Sequence, residues 1–328
     1  MEVQPILDSC RKALANRVIG QEDMIDGLLM TLIAGGHILL EGVPGLAKTL
    51  AVKSLADITG LVFKRIQFTP DLLPADLTGT MVWEQAAGTF SVRRGPIFAN
   101  VILADEINRA PAKVQSALLE AMEEMQVTIG ETTYSLPHPF FVLATQNPIE
   151  HEGTYALPEA ELDRFLLKLL IKYPHPEQEV SMLSLVAGRK TVAPLPHVLT
   201  ISMLKSLQTA ADAVHVDERL AAYIVSVVGA TRLAPVRGGQ RERGERIERE
   251  GIYRYINFGA SPRASIALYR CARIHALFEG RSFISPDDVK AVALPVLRHR
   301  IVLSYEAEAD GLDPDAVISR ILSLVPVP

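Results

Sequence analysis

The chain has little of what several classes of protein require. Its two cysteines, Cys10 and Cys271, are too few for a disulfide framework and form no metal-binding or redox motif. Its eight histidines lack H-E-x-x-H and H-x-x-E-H spacing, so nothing indicates a zinc enzyme. No apolar run is long enough to cross a bilayer, and the N-terminus lacks the basic and apolar regions of a signal peptide. We therefore expect a cytoplasmic protein without membrane insertion.

An excess of positive charge is also missing. The 33 Lys and Arg against 38 Asp and Glu give a net charge of −5 and a pI of about 5.9. General nucleic-acid binders carry the opposite balance, so no nucleic acid is expected, although a local basic patch is not excluded. Hydrophobic residues make up 48% of the 328 residues, which is enough for sizeable cores in about two domains.

The first half of the chain alternates short apolar runs with helical patterns, which predicts an α/β fold with a parallel sheet covered on both faces. The predicted strands are His37–Leu40, Leu61–Phe68, Val101–Ala104, Phe140–Thr145 and Phe165–Ile171. A helix is predicted over Pro111–Met125. Two segments break the alternation, Met81–Phe98 around Ala87-Gly88 and Val127–Tyr134 around Gly130-Glu131, and predict inserted β-hairpins.

The second half has a different character. From Ser202 onward only helices are evident, and Ser261-Pro262 and Ser285-Pro286 each place an N-cap before a proline at the first helical position. We predict an α/β core over 1–173, a linker over 174–200 and a helical lid over 201–328. The Arg237–Arg254 stretch, with six arginines and four glutamates, fits a solvated loop or frayed helix; an element that docks a partner or RNA is the alternative.

The stretch GVPGLAKT, residues 42–49, has the spacing of a phosphate-binding loop, except that Ala47 replaces the last glycine. An apolar strand precedes it and a helix beginning at Lys48 follows, as the motif requires. Backbone N–H groups would face the β-phosphate, Lys48 would neutralise the β- and γ-phosphates, and Thr49 would place its hydroxyl on Mg²⁺. Alanine is tolerable at position 47 if that residue already has helical backbone angles, which we expect.

The stretch VILADE, residues 101–106, is an apolar strand that ends in two carboxylates. Asp105 is predicted to hold the Mg²⁺ shell, and Glu106 to orient and polarise the attacking water. Hydrolysis needs the second acid, whereas a kinase-like transfer does not. An acidic N-cap after a strand would look the same, but the phosphate-binding loop upstream favours a catalytic pair. Gln67, at the end of the second strand, is the predicted partner of Glu106 without nucleotide.

Three more side chains fit such a site. Asn147 follows the strand in FFVLATQN, at the sheet edge where open α/β sheets bind ligands, and could bond the γ-phosphate and the water. Arg164 ends a short helix in LPEAELDRF; alone it would be a surface arginine. Arg263 lies in the first helical turn after GASP, where the helix dipole disfavours a cation, so a bound phosphate would offset that cost.

Together GVPGLAKT, LADEINRAP, ATQNP, LPEAELDRF and GASPRA, with VIGQ at 18–21, resemble the MoxR family of AAA+ ATPases from about Val18 to Val289. Alanine before the loop lysine is usual in that family. The resemblance implies an AAA+ P-loop NTPase core, a five-stranded parallel sheet in an αβα sandwich, with a C-terminal all-α lid. It implies a site for ATP formed by Val18, Ile19, Gly20, Gln21, Gly42, Val43, Pro44, Gly45, Leu46, Ala47, Lys48, Thr49 and Leu50.

The resemblance also implies roles for single residues. Thr49 and Asp105 would be the metal ligands for Mg²⁺. The catalytic residues would be Glu106, Asn147 as sensor 1, Arg263 as sensor 2, and Arg164 as an arginine finger acting on the ATP of a neighbouring subunit. Residues 237–254 are longer than the connection usual in the family, so the lid alignment stays open there, although Arg263 realigns.

The two predicted hairpins match the helix-2 insert, about 81–98, and the pre-sensor-1 hairpin, about 127–134, of that family, both projecting toward a central pore. Proteins of this family resemble chaperone-like remodellers that work as ring hexamers, commonly pair with von Willebrand factor A domain proteins, and assemble or insert cofactors into other complexes. The expected partners are therefore further copies of the chain, in a ring homo-oligomer, and a protein with a von Willebrand factor A domain.

Two other functions remain open from the sequence. A nucleic-acid-acting AAA+ motor would need Lys or Arg on its inserts, but 127–134 has neither and 81–98 offers only Arg93 and Arg94. A slow ATP-binding switch, which does no mechanical work, is consistent with every residue of the motifs because a rate cannot be read from a sequence.

Overall fold

The computed structural model describes residues 3–148, 154–187, 195–232 and 251–328. The chain divides into two compact units, a core unit of Met1–Phe165 with Leu169–Leu207 and a lid unit of Leu166–Lys168 with Gln208–Pro328. The domain boundaries drawn from the sequence at 173 and 200 stay predictions. Residues 188–194 of the predicted linker, and the Arg/Glu-rich stretch up to residue 250, lie outside the described residues.

The helices and strands are numbered in chain order. The strands are β1 Ile38–Glu41, β2 Phe63–Gln67, β3 Gly79–Glu84, β4 Thr89–Arg94, β5 Val101–Asp105, β6 Gln126–Ile129, β7 Thr132–Ser135, β8 Phe141–Gln146, β9 Leu167–Leu170, β10 Ile256–Phe258 and β11 Val302–Leu303. The helices are α1 Val3–Ala15, α2 Glu22–Ala34, α3 Lys48–Thr59, α4 Pro74–Thr78, α5 Ala112–Glu124, α6 Glu159–Leu162, α7 Pro176–Ala187, α8 Ile201–Ala213, α9 Glu218–Gly229, α10 Pro262–Phe278, α11 Pro286–Leu297, α12 Tyr305–Ala309 and α13 Pro314–Leu324. Among the described residues, no helix has the length and apolar character needed to span a membrane.

A five-stranded sheet of order β2-β5-β8-β1-β9 organises the fold. The pairs β2–β5, β5–β8 and β1–β8 are parallel. Strands β1, β5 and β8 are buried along nearly their whole length, as expected when helices cover both faces. The edge strand β2 instead exposes Lys64 and Arg65 beside buried Ile66, and such charges protect an open edge from pairing with another chain. The predicted five-stranded α/β sheet is confirmed.

Two antiparallel hairpins extend from this scaffold: the first hairpin, β3–β4, and the second hairpin, β6–β7. They touch each other, because the Arg94 guanidinium lies 5.0 Å from the ring centre of Phe98 and 5.3 Å from that of Tyr134. At the other end of the first hairpin, Trp83 and Phe90 form an edge-to-face pair with centroids 5.0 Å apart, and both are exposed.

The lid unit is mainly helical, as the sequence predicts, but the expected all-α lid needs one correction. Strands β10 and β11 form a short antiparallel sheet, with Ile256 opposite Leu303 and Phe258 opposite Val302. Strands of two and three residues are too short for hydrophobic alternation to be visible in the sequence.

A buried carboxylate joins two helices of the lid unit. Asp288, in the first turn of α11, is fully buried and accepts hydrogen bonds from Arg281 Nη1 at 2.6 Å, Ser285 N at 2.7 Å and Ser285 Oγ at 2.8 Å. His275 Nδ1 of α10 lies 2.7 Å from its other oxygen. Burial raises the pKa of Asp288, but the hydrogen bonds from Arg281, His275 and Ser285 outweigh it, so the pKa falls below its usual range. Asp288 is therefore ionised and caps α11 while it pairs with Arg281.

We expect Asp288→Asn to destabilise the lid unit by about 2 to 4 kcal/mol, because it leaves Arg281 without its buried anion. The figure lies below that for a wholly enclosed pair since the Arg281 side chain is 30% exposed. Urea denaturation followed by circular dichroism measures the loss. Asp287→Asn is the matched control, because the Asp287 side chain lies in the same helical turn and is 91% exposed. Removal of its charge should change the free energy of unfolding by less than about 0.5 kcal/mol. Equal effects of the two substitutions would contradict the importance of the buried pair.

Candidate functional site

Residues 42–47 connect β1 to α3 at the carboxyl edge of the sheet. Gly42 N donates to Gln146 O of β8 at 3.3 Å, which fixes the start of this loop to the neighbouring strand. A Cβ on Gly42 would lie 3.0 Å from Ile171, so glycine permits this close approach without displacing Ile171. Lys48 opens α3, and its Nζ donates to Gly42 O at 2.6 Å. The loop therefore folds around the lysine that the sequence assigns to phosphate.

Ala47 differs from the expectation. Its φ of 58° and ψ of 16° are left-handed, and it is the N-cap of α3 rather than a helical residue. The prediction of helical backbone angles at Ala47 is therefore wrong. A left-handed conformation costs a residue with a Cβ roughly 1–2 kcal/mol relative to a right-handed one. The phosphate-binding loop thus stores strain immediately before the lysine, at a position where glycine would carry no such cost.

Lys48 shares its surroundings with three carboxylates. Burial lowers the pKa of Lys48, and the charges of Asp105, Glu106 and Glu41 partly counter that effect. The charges that act on Lys48 thus include those of Asp105, the predicted Mg²⁺ ligand, and Glu106, the predicted base. The strand register explains this, because β5 and β8 are parallel and adjacent, and β8 pairs with β1, which leads into the loop. Parallel strands end at one sheet edge, where such folds bind ligands.

Asp105 ends β5 and has donors on both carboxylate oxygens. Thr145 Oγ1, from β8, donates to Oδ1 at 2.7 Å. Arg65, from β2, donates to Oδ2 through Nε at 3.1 Å and Nη2 at 2.6 Å. Neither partner was predicted from the sequence. Thr145 could have been found as the first polar residue near the end of an apolar strand, whereas the pairing of Arg65 depends on which strand lies beside β5.

Glu106 follows Asp105 in a left-handed conformation with φ of 56°. Its N–H donates to Thr145 Oγ1 at 2.9 Å, so one threonine orients both acids. Its Oε2 accepts a hydrogen bond from Gln67 Nε2 at 2.8 Å and pairs with Arg109 Nη1 at 3.2 Å. The hydrogen bond predicted between Gln67 and Glu106 is present.

The VIGQ segment reaches the loop through the residues that follow β9. Gln21 Nε2 donates to Lys172 O at 3.1 Å, and Ile171 packs against Gly42. Gly20 has a φ of +70°, and a Cβ there would lie 2.5 Å from Gln178 Oε1 of α7. Residues 18–21 and the phosphate-binding loop therefore contact the same stretch of chain, which is consistent with one nucleotide site.

The other predicted site residues lie on separate elements. Asn147 is buried directly after β8, and Thr49 is half-buried in the first turn of α3. Arg164 follows α6 and pairs with Glu123 of α5, with Nε 2.7 Å from Oε2. Arg263 belongs to the lid unit, in the first turn of α10, where its N–H donates to Ser261 Oγ at 3.1 Å. Their roles stay predictions.

The side-chain oxygen atoms near the loop suit an Mg²⁺ ion that binds together with the phosphates of a nucleotide. Within the described ranges, no group of three or more His, Cys, Asp or Glu could hold a metal alone. The Thr49 hydroxyl and the Asp105 carboxylate offer oxygen, which Mg²⁺ prefers, and Mg²⁺ is commonly bound by one or two protein oxygens together with substrate phosphates. This arrangement therefore favours Mg²⁺ bound together with nucleotide over a metal ion bound alone.

Comparison with known proteins agrees with the geometry. Residues 37–167 match the family model described as "ATPase family associated with various cellular activities (AAA)". Residues 252–321 match the model described as "AAA lid domain". The fold, the strand-edge site and these two matches define a AAA-type ATPase, a class whose members bind nucleotide.

Individual relatives show which family within this class the chain belongs to. The chain is 47% identical to Chaperone MoxR1 of Mycobacterium tuberculosis, over 95% of this chain and 79% of that protein. It is 33% identical to Protein MoxR of Paracoccus denitrificans, over 96% and 94%. A crystal structure of a protein from Cytophaga hutchinsonii superposes with a TM-score of 0.90 at 46% identity, covering 99% of this chain and 96% of that one. The chain belongs to the MoxR family of AAA+ ATPases.

Proposed function

We propose that this protein hydrolyses ATP with Mg²⁺ and uses the energy for chaperone-like remodelling of partner proteins. The observation that carries the proposal is the convergence of Lys48, Asp105 and Glu106 at one sheet edge, next to a loop of phosphate-binding form. A partly buried ammonium group at a loop of backbone N–H donors suits a phosphate chain, and the two carboxylates beside it suit the Mg²⁺ and the water that hydrolysis requires. The family match supports the nucleotide, and the second acid supports hydrolysis.

In this proposal, different groups of the chain bind the phosphates, hold the metal ion and activate the water. Backbone N–H groups of 42–47 and the N-terminus of α3 bind the phosphates, and Lys48 neutralises their charge. Thr49 and Asp105 would hold Mg²⁺, which supplies charge neutralisation of the β- and γ-phosphates. Glu106 accepts the proton of the attacking water, and Asn147 orients that water and the γ-phosphate. In this proposal Glu106 turns from Gln67 and Arg109, which hold its Oε2, toward the attacking water.

Arg164 completes the site of a neighbouring copy in this proposal. In the isolated chain its partner is Glu123, an ion pair at a partly exposed position that costs little to open. A ring homo-oligomer, which we propose to be a hexamer, would bring Arg164 to the adjacent ATP. Arg263 would act as sensor 2 on the γ-phosphate. The remodelling partner would include a von Willebrand factor A domain protein, and the location would be the cytoplasm.

The nucleic-acid motor remains the weaker alternative. The second hairpin carries no Lys or Arg, and of the two arginines on the first hairpin, Arg94 is stacked over Phe98 and Tyr134. Little positive charge is left on either insert to contact a phosphate backbone.

The proposal predicts that ATP turnover per subunit rises steeply with protein concentration, because each site needs a residue from a neighbour. Turnover with Mg²⁺ is measured across a range of dilutions, and the oligomeric state at each dilution is measured by light scattering. Turnover that stays constant while the assembly dissociates would contradict a shared site. Absence of turnover with ATP still bound would favour the slow switch.

A further inference from the structure

The Arg65 guanidinium is bound to the Asp105 carboxylate, which the proposed function assigns to Mg²⁺. Arg65 Nη2 lies 2.6 Å and Nε 3.1 Å from Asp105 Oδ2, while Thr145 Oγ1 lies 2.7 Å from Oδ1. A carboxylate offers about four lone-pair directions, so three of them are taken in this state. A cation that enters must share Asp105 with a positive charge or displace it.

Strand register makes this arrangement a property of the sheet. In the β2–β5 pair, Gln67 lies opposite Asp105 and Arg65 opposite Leu103. Since side chains two apart share a face, Arg65, Gln67 and Asp105 emerge on the same side of the sheet. Lys64, one residue earlier, emerges on the other side. Arg65 is 51% exposed at the edge strand, so it has room to leave when a competitor arrives.

Arg65 also holds the second acid indirectly. Its Nη2 donates to Gln67 Oε1 at 3.0 Å, which turns the amide nitrogen toward Glu106 Oε2 at 2.8 Å. One guanidinium therefore connects to both acids, to Asp105 directly and to Glu106 through Gln67. Its departure would release its bonds to Asp105 and to Gln67 together.

We propose that Arg65 is a positioning residue that occupies the metal-binding carboxylate of Asp105 in the nucleotide-free state and is exchanged for Mg²⁺ when ATP binds. This inference rests on the proposed function, because it needs a Mg²⁺–nucleotide site at Asp105. Arg65 thereby opposes metal binding and sets how strongly Mg²⁺ enhances nucleotide affinity. The Asp105 carboxylate therefore has a cation beside it before and after the exchange.

The test measures Kd for a fluorescent, non-hydrolysable ATP analogue with the full-length chain, once with excess Mg²⁺ and once with EDTA. The ratio of Kd in EDTA to Kd in Mg²⁺ is the coupling between metal and nucleotide. We expect Arg65→Gln to raise this ratio about three- to tenfold over the wild type. Arg65→Lys keeps the charge but loses the two-nitrogen contact of the guanidinium, and it should give an intermediate rise. A misfolded variant would lose binding in both conditions and would not gain coupling.

Lys64→Gln is the matched control. It removes the same charge from the adjacent residue of β2, on the opposite face, and so measures the general effect of lost positive charge; its ratio should stay within about twofold of the wild type. An Arg65→Gln ratio equal to that of Lys64→Gln, or below the wild-type ratio, overturns the inference while leaving the proposed function intact. A wild-type chain that binds no nucleotide in either condition would instead contradict the proposed function itself.

Discussion

Glu106→Gln should abolish ATP turnover, by about 10²- to 10⁴-fold, while ATP binding is retained. The amide has nearly the shape of the carboxylate but cannot accept the proton of the attacking water. Binding should survive because the loop, Lys48 and Asp105 remain, and the loss of one negative charge near the phosphates should strengthen it slightly. Turnover is followed by phosphate release, and binding by calorimetry with ATP.

Glu84→Gln, on the exposed tip of the first hairpin, is the control for a lost carboxylate and should turn over at the wild-type rate. If Glu106→Gln kept its turnover, Glu106 would not be the base, and the slow switch or another acid would have to be considered. If it lost ATP binding as well, its bonds to Gln67 and Arg109 would be structural requirements of the loop.

Several elements of this site can be predicted from the sequence because each is a pattern of neighbouring residues. An apolar run that ends in polar residues is visible without any tertiary information, which is why the strand before Glu106 and the strand before Asn147 could be found. Parallel sheets then bring such strand ends to one edge, so the convergence of Asp105 with the loop follows from the fold class. The antiparallel hairpins could be predicted for the same reason, from glycine turns between short alternating runs.

The interactions that the sequence did not predict are those that depend on strand order and backbone conformation. Arg65 and Asp105 are 40 positions apart and meet only because β2 lies beside β5. The left-handed angles of Ala47 and Glu106 have no signal in residue type, since neither residue favours them. Both belong to the candidate site, where strained conformations are retained when the surrounding structure enforces them.

The largest loss is expected for Arg164→Ala, about 10³- to 10⁵-fold in turnover, because a trans-acting arginine stabilises the charge that develops on the phosphoryl group. ATP affinity of the isolated chain should not change. The control is Glu123→Gln, which removes the carboxylate paired with Arg164 at 2.7 Å but keeps the arginine. If Arg164 served only to hold α5 through that pair, both substitutions would reduce turnover equally.

Mixing two inactive variants separates a shared site from a self-contained one. In a ring that contains both Arg164→Ala and Glu106→Gln chains, a site with an intact Glu106 can receive an intact Arg164 from its neighbour. Roughly one site in four is then complete in an equal mixture, since such an interface joins two different surfaces of adjacent copies. Turnover should therefore reappear on mixing, up to that fraction of the wild-type rate. Mixtures that exchange subunits and stay inactive would show that Arg164 does not act across the interface, and its pairing with Glu123 would then be its function.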